Sequence, residues 1–430
     1  MSTKRRLTIL CAWVVPLLAL AFGPQLAVAA TGELPSDTEA TLVLYDFGDA
    51  NDRAIRQEAI ARFNERFPNV TVELQFTPIT TWSEYLQKLV TQVAGGSAPD
   101  IVHIATEGVR LAADRGLLLP LGDFVANDPE GQALLEDVAP TLIDSYTVDG
   151  NLYLLPAAWN NMMIYYNTRV FEEAGIERPS DDWTWDEFLS IAQQLTSGEG
   201  SDQTYGFGIP YFNFGIHPWF LSNGASLMNE ELTESNLDDL KVAEAAQFLH
   251  DLVQVHNVSP DPFSTDPNAV YQQFSTGRIA MTGGGHWPMQ FFMSNGFEDY
   301  DVLPWPQHGA KATVFGADGY GIYQDTENAQ VAWELIKELT SQETMMQTVA
   351  AGVAIPARRS VAETEGFLAQ PEHAELFYES LEYAQPVTAP ANFNEMESIF
   401  MRYMDQVMTG ELTAQEAMQA AHEELSDELD

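Results

Sequence analysis

Cysteine is almost absent from this 430-residue chain, since Cys11 is the only one. It falls in an N-terminal segment with the features of a cleaved leader, so we expect the processed chain to contain no cysteine at all. Such a chain has no disulfide framework, no thiolate metal site and no cysteine nucleophile. The 8 histidines are scattered without the spacing of metal ligands. We therefore expect neither a metal ion nor a cofactor.

Positive charge is also scarce. Lys and Arg total 19 against 63 Asp and Glu, for a net charge of −44. This balance argues against nucleic acid or an anionic membrane as a partner. The chain is not a disordered acidic one, because 45% of its residues are hydrophobic and 11% are aromatic. The acids are spread along the whole length, which favours a surface that works in high salt and a halophilic source.

Long apolar runs are confined to the N-terminus. Basic residues 4–6 precede an apolar stretch over 7–22, and small residues follow at 27–30. This pattern predicts a signal peptide over residues 1–30 that is removed on secretion to the periplasm. Arg5 and Arg6 fit a twin-arginine signal only in part, so the general secretory route is equally open. Leu10 stands where a lipoprotein signal needs a small residue, so no lipid anchor is expected.

Sequence signatures of catalysis are missing. The chain has no Gly-x-Ser-x-Gly elbow, no phosphate-binding loop and no dinucleotide fingerprint. No catalytic residue is therefore predicted, and the chain is not expected to be an enzyme. A secreted glycoside hydrolase stays open as an alternative, because its carboxylate pair would be hidden among so many acids.

The pattern of apolar residues predicts an α/β protein of two lobes. About 400 residues after processing exceed what one hydrophobic core usually supports. Strands are predicted over 41–45, 70–76 and 100–104 with helices between them, which is typical of a lobe with a parallel core sheet. Thr81 and Thr184 are placed to cap helices at their N-termini.

Five segments, in chain order, carry a resemblance to a known family. They are Phe63–Val70, Gly95–Val102, Gly150–Pro156 with Ile164–Asn167, Trp183–Phe188, and Phe274–Trp287. Together they resemble the family-1 extracellular solute-binding proteins of ABC importers, the maltose-binding-protein-like group. The resemblance implies a type II periplasmic-binding-protein fold, in which crossing segments form a hinge and the ligand lies between two lobes. One lobe would take 40–156 plus 307–353, and the other 157–300 plus 354–430.

The resemblance also implies a function. Such a protein captures a sugar or oligosaccharide by closing its lobes and delivers it to the transmembrane permease subunits of the importer, acting as a monomer. A non-sugar solute is the alternative. A polyamine would suit the acids and aromatic rings, whereas a phosphate ester would need a cluster of Arg and Lys that the chain scarcely has.

A sugar site needs aromatic rings for the C–H face and planar polar groups for the hydroxyls. Glycines 283–285 let the backbone approach a ligand closely, and the resemblance places Trp287 where the family stacks sugar, next to His286. Packing of Trp287 under a glycine-rich turn is the alternative. Trp159 and Asn160 follow the presumed hinge strand and are expected to face the cleft, or else to make a structural contact between the lobes.

The remaining candidates are less specific. Trp219 lies in an aromatic-rich loop and is expected either to touch ligand or to pack a helix. Asp46 ends the first strand, where parallel sheets present ligands. The resemblance assigns Glu107 a hydroxyl-binding role, although most acids in this chain are expected simply to be solvated. Weaker candidates are Trp82, Asp318, Tyr320, Arg358, Asn394 and Glu395.

We predict that salt stabilises this protein. The melting temperature should rise between about 0.1 M and 2 M NaCl, because the Debye length falls from about 10 Å to below about 3 Å and repulsion among the acids weakens. Differential scanning calorimetry checks this, with a neutral osmolyte at matched osmolality as the control. A melting temperature that does not change over this range would contradict the prediction.

Overall fold

The computed structural model describes residues 34–77, 81–264 and 269–429. The predicted signal peptide, residues 1–30, lies outside this part of the chain. None of the helices in the described ranges is long and apolar enough to span a membrane.

The described residues form thirteen strands, and helices separate most of them along the chain. They are β1 (Ala40–Phe47), β2 (Val70–Thr77), β3 (Ile101–Ala105), β4 (Thr147–Val148), β5 (Asn151–Leu152), β6 (Leu155–Asn161), β7 (Met163–Asn167), β8 (Tyr205–Gly208), β9 (Ile279–Gly284), β10 (Tyr300–Leu303), β11 (Thr313–Ile322), β12 (Ile355–Pro356) and β13 (Ala384–Pro386).

Helices follow most of the strands. They are α1 (Ala50–Arg66), α2 (Trp82–Ala94), α3 (Thr106–Asp114), α4 (Gly122–Ala126), α5 (Pro129–Glu136), α6 (Pro140–Ser145), α7 (Thr168–Ala174), α8 (Trp185–Leu195), α9 (Asn213–Ser222), α10 (Leu240–Gln254), α11 (Ala269–Ser275), α12 (Pro288–Ser294), α13 (Ala329–Leu339), α14 (Gln342–Ala350), α15 (Arg359–Ala362), α16 (Glu365–Leu368), α17 (Glu375–Glu379), α18 (Phe393–Met408) and α19 (Ala414–Leu429). Short 3-10 turns occupy 200–202, 262–264 and 380–382.

The predicted helix caps are confirmed. The Thr81 side chain accepts a hydrogen bond from the backbone N–H of Glu84 at the start of α2. Thr184 and Glu187 form a capping box, in which each side chain accepts a hydrogen bond from the other's backbone N–H. Such reciprocal bonds satisfy two donors that the first turn of a helix otherwise leaves free.

The first sheet has the order β12-β6-β11-β3-β1-β2, with β13 added beside β11. Its β2-β1-β3 part is parallel, as predicted. Every residue of β3 is buried, which is expected of a central strand covered on both faces. β11 runs antiparallel to β3 and to β6, because it enters this sheet from the other one.

The second sheet has the order β10-β7-β9-β8. β6 leads into β7 through the single residue Met162, and β10 leads into β11 through residues 304–312. These two connections carry the chain between the sheets. We call the elements around the first sheet the first lobe and those around the second sheet the second lobe.

Sheet membership differs from the predicted division of the chain in two places. β6 stays in the first sheet to Asn161, beyond the expected boundary at residue 156. β12 and β13 also pair in the first sheet, although residues 354–430 were expected in the second lobe. The last two helices, α18 and α19, pack against each other and against α10. Because hydrogen bonding between strands distant in sequence decides sheet membership, hydrophobic patterning could not place these short strands.

Candidate functional site

The two lobes approach each other along facing loops. On one side Gln290 Nε2, in α12, donates a hydrogen bond of 3.0 Å to Asp49 Oδ2, which precedes α1. On another side the Ser83 hydroxyl, in α2, donates to the Glu397 carboxylate of α18. We call the space bounded by these contacts the interlobe cleft. Near these contacts, Glu107 and Gly316 of the first lobe lie beside Phe214 of the second, and Trp287 neighbours Phe214. Trp82 precedes Ser83 in the chain, and Asp318 follows Gly316 by two residues.

Gly316 marks the point of closest approach inside the cleft. A Cβ atom added there would lie 3.1 Å from Phe214 Cε2 and 3.8 Å from Glu107 Oε1. Glycine at this position thus lets an aromatic ring of the second lobe and an acid of the first lobe meet over the backbone of β11.

Trp287 lies half-buried at the end of β9, as part of an aromatic group of the second lobe. Its indole N–H donates a 3.0 Å hydrogen bond to the Tyr271 hydroxyl, and its ring centroid lies 6.3 Å from that of Phe214. A Cβ on Gly285 would lie 2.0 Å from the Trp287 ring, so that glycine is needed for this ring position. The indole is therefore held in one orientation and keeps part of its surface open.

The residues next to Trp287 are held by the hinge strand. Asn160 Oδ1 accepts a 2.8 Å hydrogen bond from the backbone N–H of His286. The His286 ring is buried and stacks on Phe367 with centroids 5.3 Å apart. Burial lowers the pKa of His286 to about 4, so the ring is neutral at physiological pH. His286 packs under the loop, and half-buried Asn160 fixes the loop's backbone.

Two of the predicted tryptophans lie in hydrophobic cores instead of the cleft. Trp159 is 0% exposed and packs edge-on against Phe315 and Tyr378. Trp219 is also 0% exposed and contacts the rings of Trp185 and Trp305, with centroids 5.5 and 5.1 Å away. Their burial favours the structural alternatives that the sequence left open for both residues.

A buried chain of charged side chains connects the strands of the first lobe. His103, in β3, has Nδ1 2.7 Å from Asp46 Oδ1 and Nε2 2.7 Å from Asp318 Oδ1. The other Asp46 oxygen accepts hydrogen bonds of 3.0 Å from Arg56 Nε and from the Tyr320 hydroxyl. Both Asp46 oxygens are thus occupied and its side chain is 0% exposed, so Asp46 orients other groups and does not present itself to a ligand. Tyr320, also buried, has the same supporting role.

The charges of this chain balance one another. Burial by itself would raise the pKa of Asp46, but His103 and Arg56 outweigh it and hold the pKa at about 2. Burial would lower the pKa of His103, yet Asp46 and Asp318 raise it to about 9. His103 is therefore a cation between two carboxylates, and with Arg56 it neutralises both. Asp318 keeps 17% of its side chain exposed and is the member that reaches the cleft.

Trp82 completes the aromatic lining on the first lobe. Its ring meets the Phe47 ring edge-on at 4.2 Å between centroids, and Phe47 in turn stacks on His103 at 5.2 Å. Trp82 is half-buried, so one part of the ring packs on the lobe and the other faces outward.

Glu107 is the most perturbed carboxyl of the cleft. It is buried at the start of α3, and its Oε2 atom accepts no hydrogen bond from any described residue. Burial raises its pKa to about 8, and the neighbouring Glu397 and Asp318 add to the effect. Glu107 therefore carries a proton at neutral pH in this closed arrangement.

Arg358 and the acids near it lie apart from these groups. Arg358 Nε donates a 2.8 Å hydrogen bond to Asp137, which also bonds the hydroxyl of Ser360. Within the described residues, one group has the composition of a metal site: Asp301, Glu372 and His373. Asp301 already bonds His373 Nδ1 at 2.6 Å and the Tyr166 hydroxyl at 3.0 Å, on the edge strand β10. These contacts explain the group without an ion.

Of the predicted site residues, Glu107 and Trp287 both lie near Phe214, Trp82 precedes the Ser83 contact between the lobes, Asp318 bonds His103, and Asn160 bonds the backbone of His286. The structure adds residues that the sequence did not single out as candidates: His103, Phe214, Tyr271 and Glu397. His103 is hidden in an apolar strand, and only its pairing with acids 57 and 215 positions away gives it a role. In the sequence, only the weak candidates Asn394 and Glu395, which lie on the same helix, pointed to the region of Glu397.

Comparison with known proteins places this geometry in context. The model of a protein family described as bacterial extracellular solute-binding protein matches residues 49–346, well over half of the chain. A Brucella abortus protein named only as a binding protein is 25% identical over 65% of this chain and 67% of its own length. An arabinooligosaccharide-binding protein of Halalkalibacterium halodurans is 24% identical over 65% of this chain and 63% of its own length.

Solved structures give the same fold. An ABC substrate-binding protein of Listeria monocytogenes, solved in complex with cycloalternan, superposes with a TM-score of 0.80 at 24% identity. The match covers 91% of this chain and 99% of that one. The predicted two-lobe α/β fold of the periplasmic binding proteins is therefore confirmed.

Replacing Trp219 should destabilise the protein strongly. Trp219→Ala removes a fully buried ring from the second core, so we expect the free energy of unfolding to fall by about 3–5 kcal/mol. Trp287→Ala is the matched control and should cost less, because that ring is half-exposed. Urea unfolding followed by circular dichroism measures both. Equal losses for the two variants would contradict this assignment of Trp219 to the core.

The charge on His103 should make stability depend on pH. Its pKa rises from 6.5 to about 9 on folding, so its contribution is fully present below pH 6.5 and is lost as the pH rises through 9. The difference in unfolding free energy between wild type and His103→Gln should shrink by on the order of 2 kcal/mol from pH 6 to pH 10. Asp318→Asn removes one of the two carboxylates beside His103. The pKa of His103 should then rise less on folding, so the pH range over which stability is lost should be narrower. A difference that is constant over this range would overturn the assignment.

Proposed function

Because the chain belongs to the bacterial extracellular solute-binding protein family, we propose that it is the solute-binding component of an ABC importer and that its solute is a saccharide. The observation that carries this proposal is Trp287, whose indole is fixed by Tyr271 at the cleft with part of its surface open. An oriented aromatic ring next to polar side chains suits the alternating C–H and hydroxyl surface of a sugar. Relatives named for oligosaccharides support the same class of solute.

The proposed site takes its aromatic and polar groups from both lobes. Trp287 and Phe214 would stack on the solute from the second lobe, and Trp82 would cover it from the first. Glu107 and Asp318 would accept or share hydrogen bonds with its polar groups. Trp159, Trp219, Asp46, Tyr320 and His286 would support the site from beneath without touching the solute.

Closure of the lobes would retain the solute. The contacts Gln290–Asp49 and Ser83–Glu397 join the two lobes at separate points, and a solute that touches both lobes would favour the state in which they form. The closed form would then be presented to the transmembrane subunits of the importer. No covalent bond changes in this cycle, in keeping with relatives that are named as binding proteins.

Other solute classes fit less well. A phosphate ester would require free guanidinium or ammonium groups, but Arg56 is paired with Asp46 and Arg358 with Asp137.

We propose that the protein acts as an unanchored monomer outside the cytoplasmic membrane. We also propose that its lobes divide near the crossings at Met162 and at residues 304–312.

Ligand screening by thermal shift tests the function. The chain without residues 1–30, in high salt, should show a rise of several degrees in melting temperature with one class of saccharide, because a ligand that binds only the folded state stabilises it. The panel should contain mono-, di- and trisaccharides, polyols and polyamines. A shift with polyamines alone would overturn the sugar assignment, and no shift with any member would count against the whole proposal.

Trp287→Ala connects the screen to the site. Loss of one stacking contact and its pocket surface should weaken binding of the active saccharide by about 1–3 kcal/mol. Trp82→Ala probes the opposite wall in the same titration. Wild-type affinity in Trp287→Ala would remove that residue from the site.

A further inference from the structure

Two carboxyl groups, one on each lobe, influence each other electrostatically, and no cation among the described residues pairs with either. Glu107 belongs to α3 of the first lobe and Glu397 to α18 of the second. Apart from burial, the groups that raise the pKa of Glu107 are Glu397 and Asp318, and its only opposing contact is its own backbone N–H. Glu397 is stabilised only by neutral donors, the Ser83 hydroxyl and the Asn213 amide.

The cations of the first lobe cannot serve this pair. His103 and Arg56 are both engaged by Asp46, and His103 also by Asp318. Two positive charges in that chain face two negative ones, so the chain is neutral by itself. Neither Glu107 nor Glu397 has a cation partner among the described residues, so Glu107 takes up a proton, and that proton is the one donor that the pair itself supplies.

Nearby acceptor atoms also lack donors. Three buried oxygens, Glu107 Oε2, Asn213 Oδ1 and Asn394 Oδ1, accept no hydrogen bond from any residue the structure describes. Asn213 is only 2% exposed and bonds Glu397 through its amide. Asn394 lies three residues before Glu397 on α18 and donates to the Ser83 carbonyl at 3.5 Å. Apart from the proton on Glu107, the group therefore presents unused acceptors and no unused donor, and buried acceptors are rarely left unpaired in proteins.

We propose that the solute carries a protonated amine, which Glu107 and Glu397 hold between the two lobes. This inference rests on the proposed function and names an amino-bearing saccharide as its solute class. An ammonium group has three donors and no acceptor, which matches the unused oxygens. The Phe214 ring, above Gly316 and close to Glu107, would add a cation–π contact. A neutral hydroxyl could fill one acceptor but would bring no positive charge to the pair.

Amine binding would release a proton. Glu107 is protonated at neutral pH in the closed arrangement, with a pKa of about 8. An arriving ammonium favours the carboxylate, so the Glu107 proton leaves to solvent while the amine keeps its own. For an amine that stays protonated over this range, affinity should therefore rise as the pH increases from 6 to 8, by up to about tenfold per pH unit for one released proton.

Isothermal titration calorimetry on the processed chain in high salt tests this proposal. The probes are glucosamine oligosaccharides, their N-acetylated counterparts and neutral hexose oligosaccharides of equal length. We expect the amine form to bind at least about tenfold more tightly than the acetylated one, as for a desolvated charge pair. Repeating the titration in buffers of different ionisation enthalpy should reveal one proton released at pH 7.

Variants separate the charge from the shape of the site. Glu107→Gln and Glu397→Gln keep the side-chain volume and should each remove most of the preference for the amine, so that affinity for the amine falls much more than affinity for a neutral saccharide. Glu395→Gln is the matched control, since Glu395 is an exposed acid on the same helix as Glu397. Melting temperatures of all variants confirm that they are folded.

The outcomes are distinct. If neutral saccharides bind as well as amines, without proton release and with no effect of Glu107→Gln, this inference fails and the proposed function stands. If a polyamine without a sugar ring binds and no saccharide does, amine recognition stands and the saccharide assignment fails. If none of these solutes binds, both are overturned.

Discussion

The buried charge chain Arg56–Asp46–His103–Asp318 ties together the part of the fold on which the cleft depends. Its members come from α1, β1, β3 and β11, so one hydrogen-bonded set fixes the parallel strands and the strand that returns from the second lobe. Isolated, each of these charges would be expensive to bury. As a neutral set with nearly every polar atom bonded, they are tolerated, and breaking one partner would expose the others to the full desolvation penalty.

This arrangement gives the two walls of the cleft different chemistry. In the first lobe, the cations Arg56 and His103 are paired within the buried charge chain. This lobe therefore presents carboxyl groups, those of Asp318, the last member of the charge chain, and of Glu107. The second lobe presents rings, because Gly285, just after β9, leaves room for the Trp287 ring, and Gly316 in β11 leaves room for Phe214. A solute held here would meet carboxyl groups of the first lobe and rings of the second, with Trp82 and Glu397 as the exceptions on the two sides. Because Glu107 and Glu397 have no cation partner among the described residues, the closed state would be sensitive to protons and to the charge of the solute it encloses.

The acidic residues on the surface and those in the cleft interact with their surroundings over different distances. The surface acids repel one another through solvent and are screened by salt within a few ångströms. The cleft acids are buried, so salt screens them poorly and their neighbours determine their protonation. A high-salt environment would therefore relieve the surface repulsion and leave the selectivity of the cleft largely intact.

The sequence by itself determined the class of fold and the order of its elements. Helix caps at Thr81 and Thr184 and the strands β1 to β3 depend on contacts within a few residues, and such local patterns can be recognised along the chain. Only the tertiary structure decided which similar residues do which work. From the sequence, Trp219 and Trp287 were both candidates for contact with a ligand. In the structure, Trp219 is enclosed by rings from distant helices, whereas Trp287 keeps part of its ring exposed. Asp46 and Glu107 were both candidates from the sequence. In the structure, His103 and Arg56 pair with Asp46, whereas the charge near Glu107 is that of Glu397, 290 positions further along the chain. Burial and charge pairing depend on residues brought together from far apart, and no local pattern records that proximity.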